Sequence, residues 1–382
     1  VAPAYEGSTA HVLDASRVVN VVSDLLSEER RPAFDAKNRS EQEKSRKLFE
    51  HRQNRELISL EIARENPAGI EWRAEDVPTP EFQGRRVIED VSLEEISAYI
   101  DWTFFFSAWQ LKGKFPKILE HERYGEAARE LYKHGQDLLE RVVSEGLLTP
   151  RAVYGFWPAN RKGDDIVVWD DEGRTREHLR FHMLRQQAVK PNEQPYFCLS
   201  DFVAPAGAGV ADHIGAFAVT TGIGADEMAR KFEQDHDDYN AIMVKALADR
   251  LAEAFAELLH QRARREWGYE PEDGFTNEEL IAEQYRGIRP AFGYPACPDH
   301  TEKATLWQLL GAEEIGISLT EHFAMHPAAS VSGIYLGHPK SRYFAVGPID
   351  REQVKDYAAR KGVSVAEAER WLQPNLGYER GR

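Results

Sequence analysis

One stretch stands out for its chemistry: residues 289–303, RPAFGYPACPDHTEK. Pro290, Pro295, Pro298 and Gly293 rule out a regular helix or a central strand, so the segment reads as a stiff extended loop. Stiffness lowers the entropy lost when a ligand binds. Arg289 has the fork geometry to hold a carboxylate through two parallel hydrogen bonds. Backbone groups freed by the prolines suit an adenine edge or a ribose; the alternative is a connector whose prolines only fix a turn. Asp101 precedes a bulky run, WTFFF, which admits two readings: a helix cap beside packed core, or an acid at the mouth of an apolar pocket that takes a ligand ammonium. Glu253 and Glu257 lie one helical turn apart, a like-charge spacing that usually marks a solvated stripe. Lys112, Lys114 and Lys117 form a small basic island suited to an acidic partner.

Other chemistries find no support. Cys198 and Cys297 are the two cysteines of the chain, and they lack CxxC spacing, so both read as inert buried thiols and no zinc site is expected. The histidines form no HExxH pattern, and Asp235-His236-Asp237-Asp238 reads more readily as a helix cap than as a cation site. Gly222-Ile223-Gly224 is not a dinucleotide fingerprint, and phosphate-loop, nucleophile-elbow and kinase motifs are missing. The 382 residues carry 48 basic and 64 acidic side chains, a formal net charge of −16, which argues against a nucleic-acid or anionic-membrane surface for the whole chain. No run approaches ~20 uncharged apolar residues, and no signal-peptide pattern opens the chain. The cysteine usage fits the reducing cytoplasm. The first residue is Val1 and not Met, which hints at a piece of a longer protein.

The elements that must position these residues are partly legible. Residues 1–27 read as a closing strand end and helix whose apolar face, Val18, Val19, Val21, Val22, Leu25 and Leu26, wants a partner. Residues 28–56 read as a charged helical linker, and 57–382 as one large globular domain. Ser92 followed by Glu95 is a capping-box signature. Helical periodicity runs over 122–145, 226–232, 239–265 and 351–372. Strand-like runs are 153–156, 165–169, 196–199, 214–219, 333–335 and 342–346, with a hairpin turn over 160–164. Strands and helices do not alternate strictly, so the expected class is α+β: a twisted, mainly antiparallel sheet with flanking helices, preceded by a helical linker.

Over nearly its whole length the chain resembles the C-terminal reactivation region of the cobalamin-dependent methionine synthase family. The loop 289–303 carries the most specific part of the likeness. Asp101-Trp102-Thr103, residues 236–240, the run 249–255 and Ser330-Val331-Ser332-Gly333 are also family-like. Phe104 departs from the family, which commonly has proline there. The resemblance implies a methyltransferase whose reactivation half binds S-adenosylmethionine and passes its methyl to cobalamin, with an electron from flavodoxin or a flavoprotein reductase. It implies Asp101 on the ligand ammonium, Arg289 on its carboxylate, Glu253 as a further contact, and Ala291, Tyr294 and Tyr343 around the adenosyl and sulfonium groups. It places Asp14, Ser16 and Tyr294 toward cobalamin, which is held mainly by a domain outside this chain, and makes the basic island Lys112, Lys114 and Lys117 a docking site for the reductase. The chemistry needs no protein acid or base, because the cobalt is itself the nucleophile and positioning dominates.

Overall fold

The computed structural model describes residues 5, 7–11, 15–53 and 56–380, with the side chains of 15–20, 48–53 and 277–278 excepted. In chain order the helices are α1 (Ala15–Leu26), α2 (Arg31–Gln53), α3 (Leu60–Glu65), α4 (Leu93–Ser97), α5 (Trp102–Ala108), α6 (Gly125–Ser144), α7 (Ala225–Gln234), α8 (Asp238–Glu266), α9 (Asn277–Ile281), α10 (Glu302–Leu310), α11 (Arg351–Lys361) and α12 (Val365–Trp371). The strands are β1 (Gly84–Ile88), β2 (Thr149–Lys162), β3 (Asp165–Trp169), β4 (Glu177–His182), β5 (His213–Ile223), β6 (Ser318–Leu319), β7 (Met325–His326) and β8 (Ser330–Tyr335).

A six-stranded sheet runs in the order β4-β3-β2-β5-β8, with β1 also paired to β2, and every pairing in it is antiparallel. The class is the α+β arrangement expected. The hairpin turn falls where it was expected too: Lys162 pairs with Asp165, leaving Gly163 and Asp164 as the two turn residues. β2 and β5 are buried almost throughout because both faces of the sheet are covered. One face packs Tyr154, Phe156, Phe217 and Tyr335 against Phe105 of α5 and Phe255 of α8. The other packs Ile214, Ala216 and Ile334 against Phe292, Leu306 and Trp307.

The helix starts follow cap chemistry. Ser92 Oγ accepts from the backbone N–H of Glu95, Asp237 from that of Asn240 and Asp350 from that of Gln353. The acidic run before α8 is thus its N-terminal cap. The periodic stretch 351–372 is two helices, because a second cap, Ser364 on the N–H of Glu367, opens α12. α1 packs against α2, yet Val22 and Leu26 remain exposed.

Two expected strands are corrected. Residues 196–199 form no strand: the N–H groups of Phe197 and Cys198 go to the side chains of Gln186 and Asp201, and the chain turns into a short 3₁₀ segment. Residues 342–346 form none either. They lie beside the proline loop, which has few N–H groups to offer a ladder; Val346 N–H does reach the carbonyl of Pro295. Four strands went unread: β1 (GRRVI) and β4 (EHLRFH), because their charged residues sit on half-exposed positions and hide the alternation, and the two-residue β6 and β7, which are too short to carry a pattern.

Candidate functional site

The loop 289–303 is fastened at both ends. At its start, Ile288 and Leu336 exchange both backbone hydrogen bonds, and Ile334 N–H donates to the Pro290 carbonyl, so the chain adds itself to the free edge of β8. That approach needs Gly333: a Cβ there would stand 2.5 Å from the Pro290 oxygen. In the middle, Gly293 has φ +94°, and a Cβ on it would strike the His300 ring. The turn it makes is closed by Gly293 N–H to the Cys297 carbonyl at 2.8 Å and Cys297 N–H to the Tyr294 carbonyl at 3.0 Å, which thrusts Tyr294 outward. Cys297 Sγ donates to the Ala291 carbonyl at 3.0 Å, and burial pushes its thiol pKa up, as burial pushes that of Cys198 up to about 12. Both thiols are therefore poor nucleophiles.

At the far end, Asp299 accepts from Tyr357 OH at 2.6 Å and from Lys361 Nζ at 3.1 Å, while Glu302 pairs with Lys361 and accepts from His182 N–H at 3.0 Å. Burial works against the charge on Asp299, but Lys361, Tyr357 and Thr301 hold it below the usual carboxylate range. Burial dominates for Glu302 and raises it.

Between these fastenings the loop walls a cavity of about 490 Å³. Arg289, Ala291, Tyr294 and Lys303 line it from the loop, Glu253 from α8, Ser332 from β8 and Tyr343 from the segment after it. Five of the expected ligand residues, Glu253, Arg289, Ala291, Tyr294 and Tyr343, thus meet at one place. Tyr343 OH accepts from the Arg289 backbone N–H at 3.0 Å, which ties two of them together. Tyr294 is 63% exposed and stands at the rim.

Asp101 is not among the described residues lining this cavity. Its carboxylate caps α5, accepting from Thr103 N–H at 2.8 Å. α5 packs on α8, and Phe104 lies under the Arg250 guanidinium, 5.7 Å from ring centroid to Cζ, one turn before Glu253. Lys112, Lys114 and Lys117 are exposed beside α5. Asp14 lies outside the described residues; Ser16 falls on α1, with its side chain outside them.

The sequence reading missed three features. Glu257 is no part of a solvated stripe: its Oε2 receives Arg289 Nη1 at 2.5 Å, and its Oε1 is buried without a partner. Burial alone would lower the Arg289 pKa, but Glu257, then Tyr285, Tyr343 and Glu253, outweigh it and raise it further, so the guanidinium is always charged. Ser332 brings a buried hydroxyl without a partner to the cavity wall. Glu283 adds a second carboxylate. The family-like run 330–333 was a signal for Ser332; Glu257 had none, because its partner lies far along the chain. Chemically, the cavity offers an arginine with spare donors, two carboxylates, an unengaged hydroxyl and two tyrosines: a fit for a zwitterion with a cationic centre. Among the described residues no group of three or more His, Cys, Asp or Glu is arranged to hold a metal ion, and no helix is long and apolar enough to cross a membrane.

Comparison with known proteins bears on this site. The family model for the vitamin B12 dependent methionine synthase activation domain matches residues 92–362. The chain is also similar to a crystal structure of the MetH reactivation domain bound to AdoHcy. The two are 55% identical, the match covers 85% of this chain and 99% of that one, and the TM-score is 0.82.

Proposed function

Because the chain belongs to the activation-domain family of the vitamin B12 dependent methionine synthases, we propose that it binds S-adenosylmethionine in the cavity beside the loop 289–303 and presents the methyl group outward for transfer to cobalamin during reductive reactivation. The observation that carries this reading is the meeting of Arg289, Glu253, Tyr294 and Tyr343 around one cavity in a chain similar to an AdoHcy-bound relative. Arg289 grips the carboxylate. Asp101, on the α5 cap, is the acid for the ammonium, and Glu253, on the cavity wall, is a further contact. Tyr294 and Tyr343 face the adenosyl and sulfonium groups, where aromatic faces favour a cation. Ala291 leaves room for the adenosyl group.

When docked, cobalamin supplies the nucleophile; this chain binds, orients and excludes water, and holds no proton in flight. The exposed rim residue Tyr294 suits the approach of a flat macrocycle, with Asp14 and Ser16 toward the same partner. In this reading residues 57–382 are the ligand-binding unit, 28–56 a charged linker and 1–27 a part of the cobalamin-binding domain, which holds that cofactor. The electron comes from flavodoxin or a flavoprotein reductase in the cytoplasm, docked on Lys112, Lys114 and Lys117. Reversing those three charges should weaken that complex in a salt-sensitive way.

Calorimetric titration tests the core of the reading. S-adenosylmethionine and its demethylated product should both bind with one-to-one stoichiometry. A folded protein that gives no binding heat with either, and no shift in melting temperature, would overturn it.

A further inference from the structure

Arg289 lines the cavity and Glu257 does not. The pair is single-pointed: Nη1 to Oε2 is the one guanidinium hydrogen bond of Arg289 among the described residues. Arginine has five N–H donors, so most stay available to a ligand. Glu257 is the carboxylate that touches this guanidinium; Glu253 acts on it through space. Arg264, one turn beyond His260 on α8, is engaged by Glu270 at 2.5 Å. His260 is fully buried and stacks on Tyr335 at 5.0 Å, with the Tyr285 ring edge-on at 4.8 Å.

Glu257 Oε1, meanwhile, is buried without a partner. The buried carboxylate of Asp201, by contrast, engages both oxygens: Oδ1 meets Arg185 and Arg161, and Oδ2 meets Arg185. A half-engaged carboxylate behind a half-engaged arginine is what a cavity needs if the arginine must arrive already aimed.

We propose that Glu257 is a positioning residue for carboxylate recognition: by tethering Nη1 from behind, it fixes the Arg289 guanidinium with its remaining donors free for the amino-acid carboxylate of the ligand. The inference rests on the S-adenosylmethionine reading. An untethered arginine loses much side-chain freedom on gripping a ligand, and the tether removes part of that loss beforehand. The negative charge of Glu257 acts the other way, repelling a carboxylate through space. The two effects therefore predict opposite signs, and experiment can separate them.

The experiment measures the affinities of the whole chain for S-adenosylmethionine and for decarboxylated S-adenosylmethionine, which lacks only the carboxylate. Glu257→Leu should weaken S-adenosylmethionine by about tenfold or more, the scale of a lost charged hydrogen bond. It should leave the decarboxylated ligand unchanged, which also shows that the variant is folded. Glu257→Gln keeps an acceptor for Nη1 and should lie between wild type and Glu257→Leu; it carries the test if the leucine variant fails to fold. In an Arg289→Leu background, Glu257→Leu should have no further effect on S-adenosylmethionine. Unchanged or tighter S-adenosylmethionine binding by the folded variants, or equal weakening of both ligands, would overturn the inference alone. Failure of the wild type to bind S-adenosylmethionine would overturn the function and the inference together.

Discussion

Two arginines of this molecule show what burial does with the same side chain. Arg185 is almost completely buried, and its guanidinium is used on every side: Asp164 at Nε, the Tyr196 carbonyl and Asp201 at Nη1, Asp201 and Asp164 at Nη2, all within 2.8 Å. Arg64 and Arg161 complete the acids around it. Arg289 makes one such contact, and its neighbourhood holds buried polar atoms without partners on Glu257, His260, Arg264, Tyr285 and Tyr335. Buried polar groups are normally satisfied, because each orphan costs about 1–3 kcal/mol. The first network joins α3, the β2–β3 turn and the segment around 185–201 into scaffold. The second is left incomplete beside a cavity. The difference teaches where to look for function: a ligand is expected where a charged network is unfinished, not where it is dense.

The largest test of the contrast is Arg185→Met. It leaves Asp164 with Arg64 alone and Asp201 with Arg161 alone, and should destabilise by about 3 kcal/mol in denaturant unfolding, the lower end for a broken buried pair, while the folded fraction keeps its affinity for S-adenosylmethionine. A loss under about 1 kcal/mol would mean that the network is not scaffold. Arg289→Ala should do the reverse. Binding should fall by about 1.5–3 kcal/mol in calorimetry; unchanged affinity would remove Arg289 from the site.

His260 gives a pH-dependent test. Burial, then Arg264 and Arg289, hold its pKa far below 6.5, so the folded chain keeps it neutral while the unfolded chain takes up a proton near pH 6.5. Its contribution to stability is therefore present above that pH and lost as the pH falls through it. His260→Phe keeps the stacking ring, should alter stability by no more than about 1 kcal/mol at neutral pH, and should shrink the decline on going to about pH 5.5. An acid decline as steep as the wild type's would show that His260 is protonated in the folded state. The smallest effect belongs to Asp101→Asn. Asparagine caps about as well as aspartate, so stability should shift by at most about 0.5 kcal/mol, whereas S-adenosylmethionine affinity should drop. Equal affinity would leave Asp101 as a cap alone.

The parts of this architecture with strong periodicity were readable: α6, α8 and the buried strands β2 and β5 carry runs that only packing explains. So was the loop, since three prolines and a glycine leave few backbone options. The partly charged strands β1 and β4 were not, because strand identity there comes from neighbours and not from side-chain pattern. Arg289 was legible as a site candidate by its type and its stiff surroundings, and it stands on the cavity wall. Glu257 was illegible: on a helix surface an acid one turn from another acid looks solvated, and only the return of the chain at residue 289 gives it a partner. Asp101 shows the opposite case, where the plain reading as a helix cap is what the backbone of α5 uses.

Lys361 and Tyr357, late in the chain, clasp Asp299 and Glu302 at the far end of the loop. The walls therefore stand before any guest arrives. Association with a small molecule should then follow a single exponential whose rate climbs linearly with concentration, with no plateau from a slow closing step. Loosening the clasp with Lys361→Met should show first as a curved rate plot and only afterwards as weaker equilibrium binding.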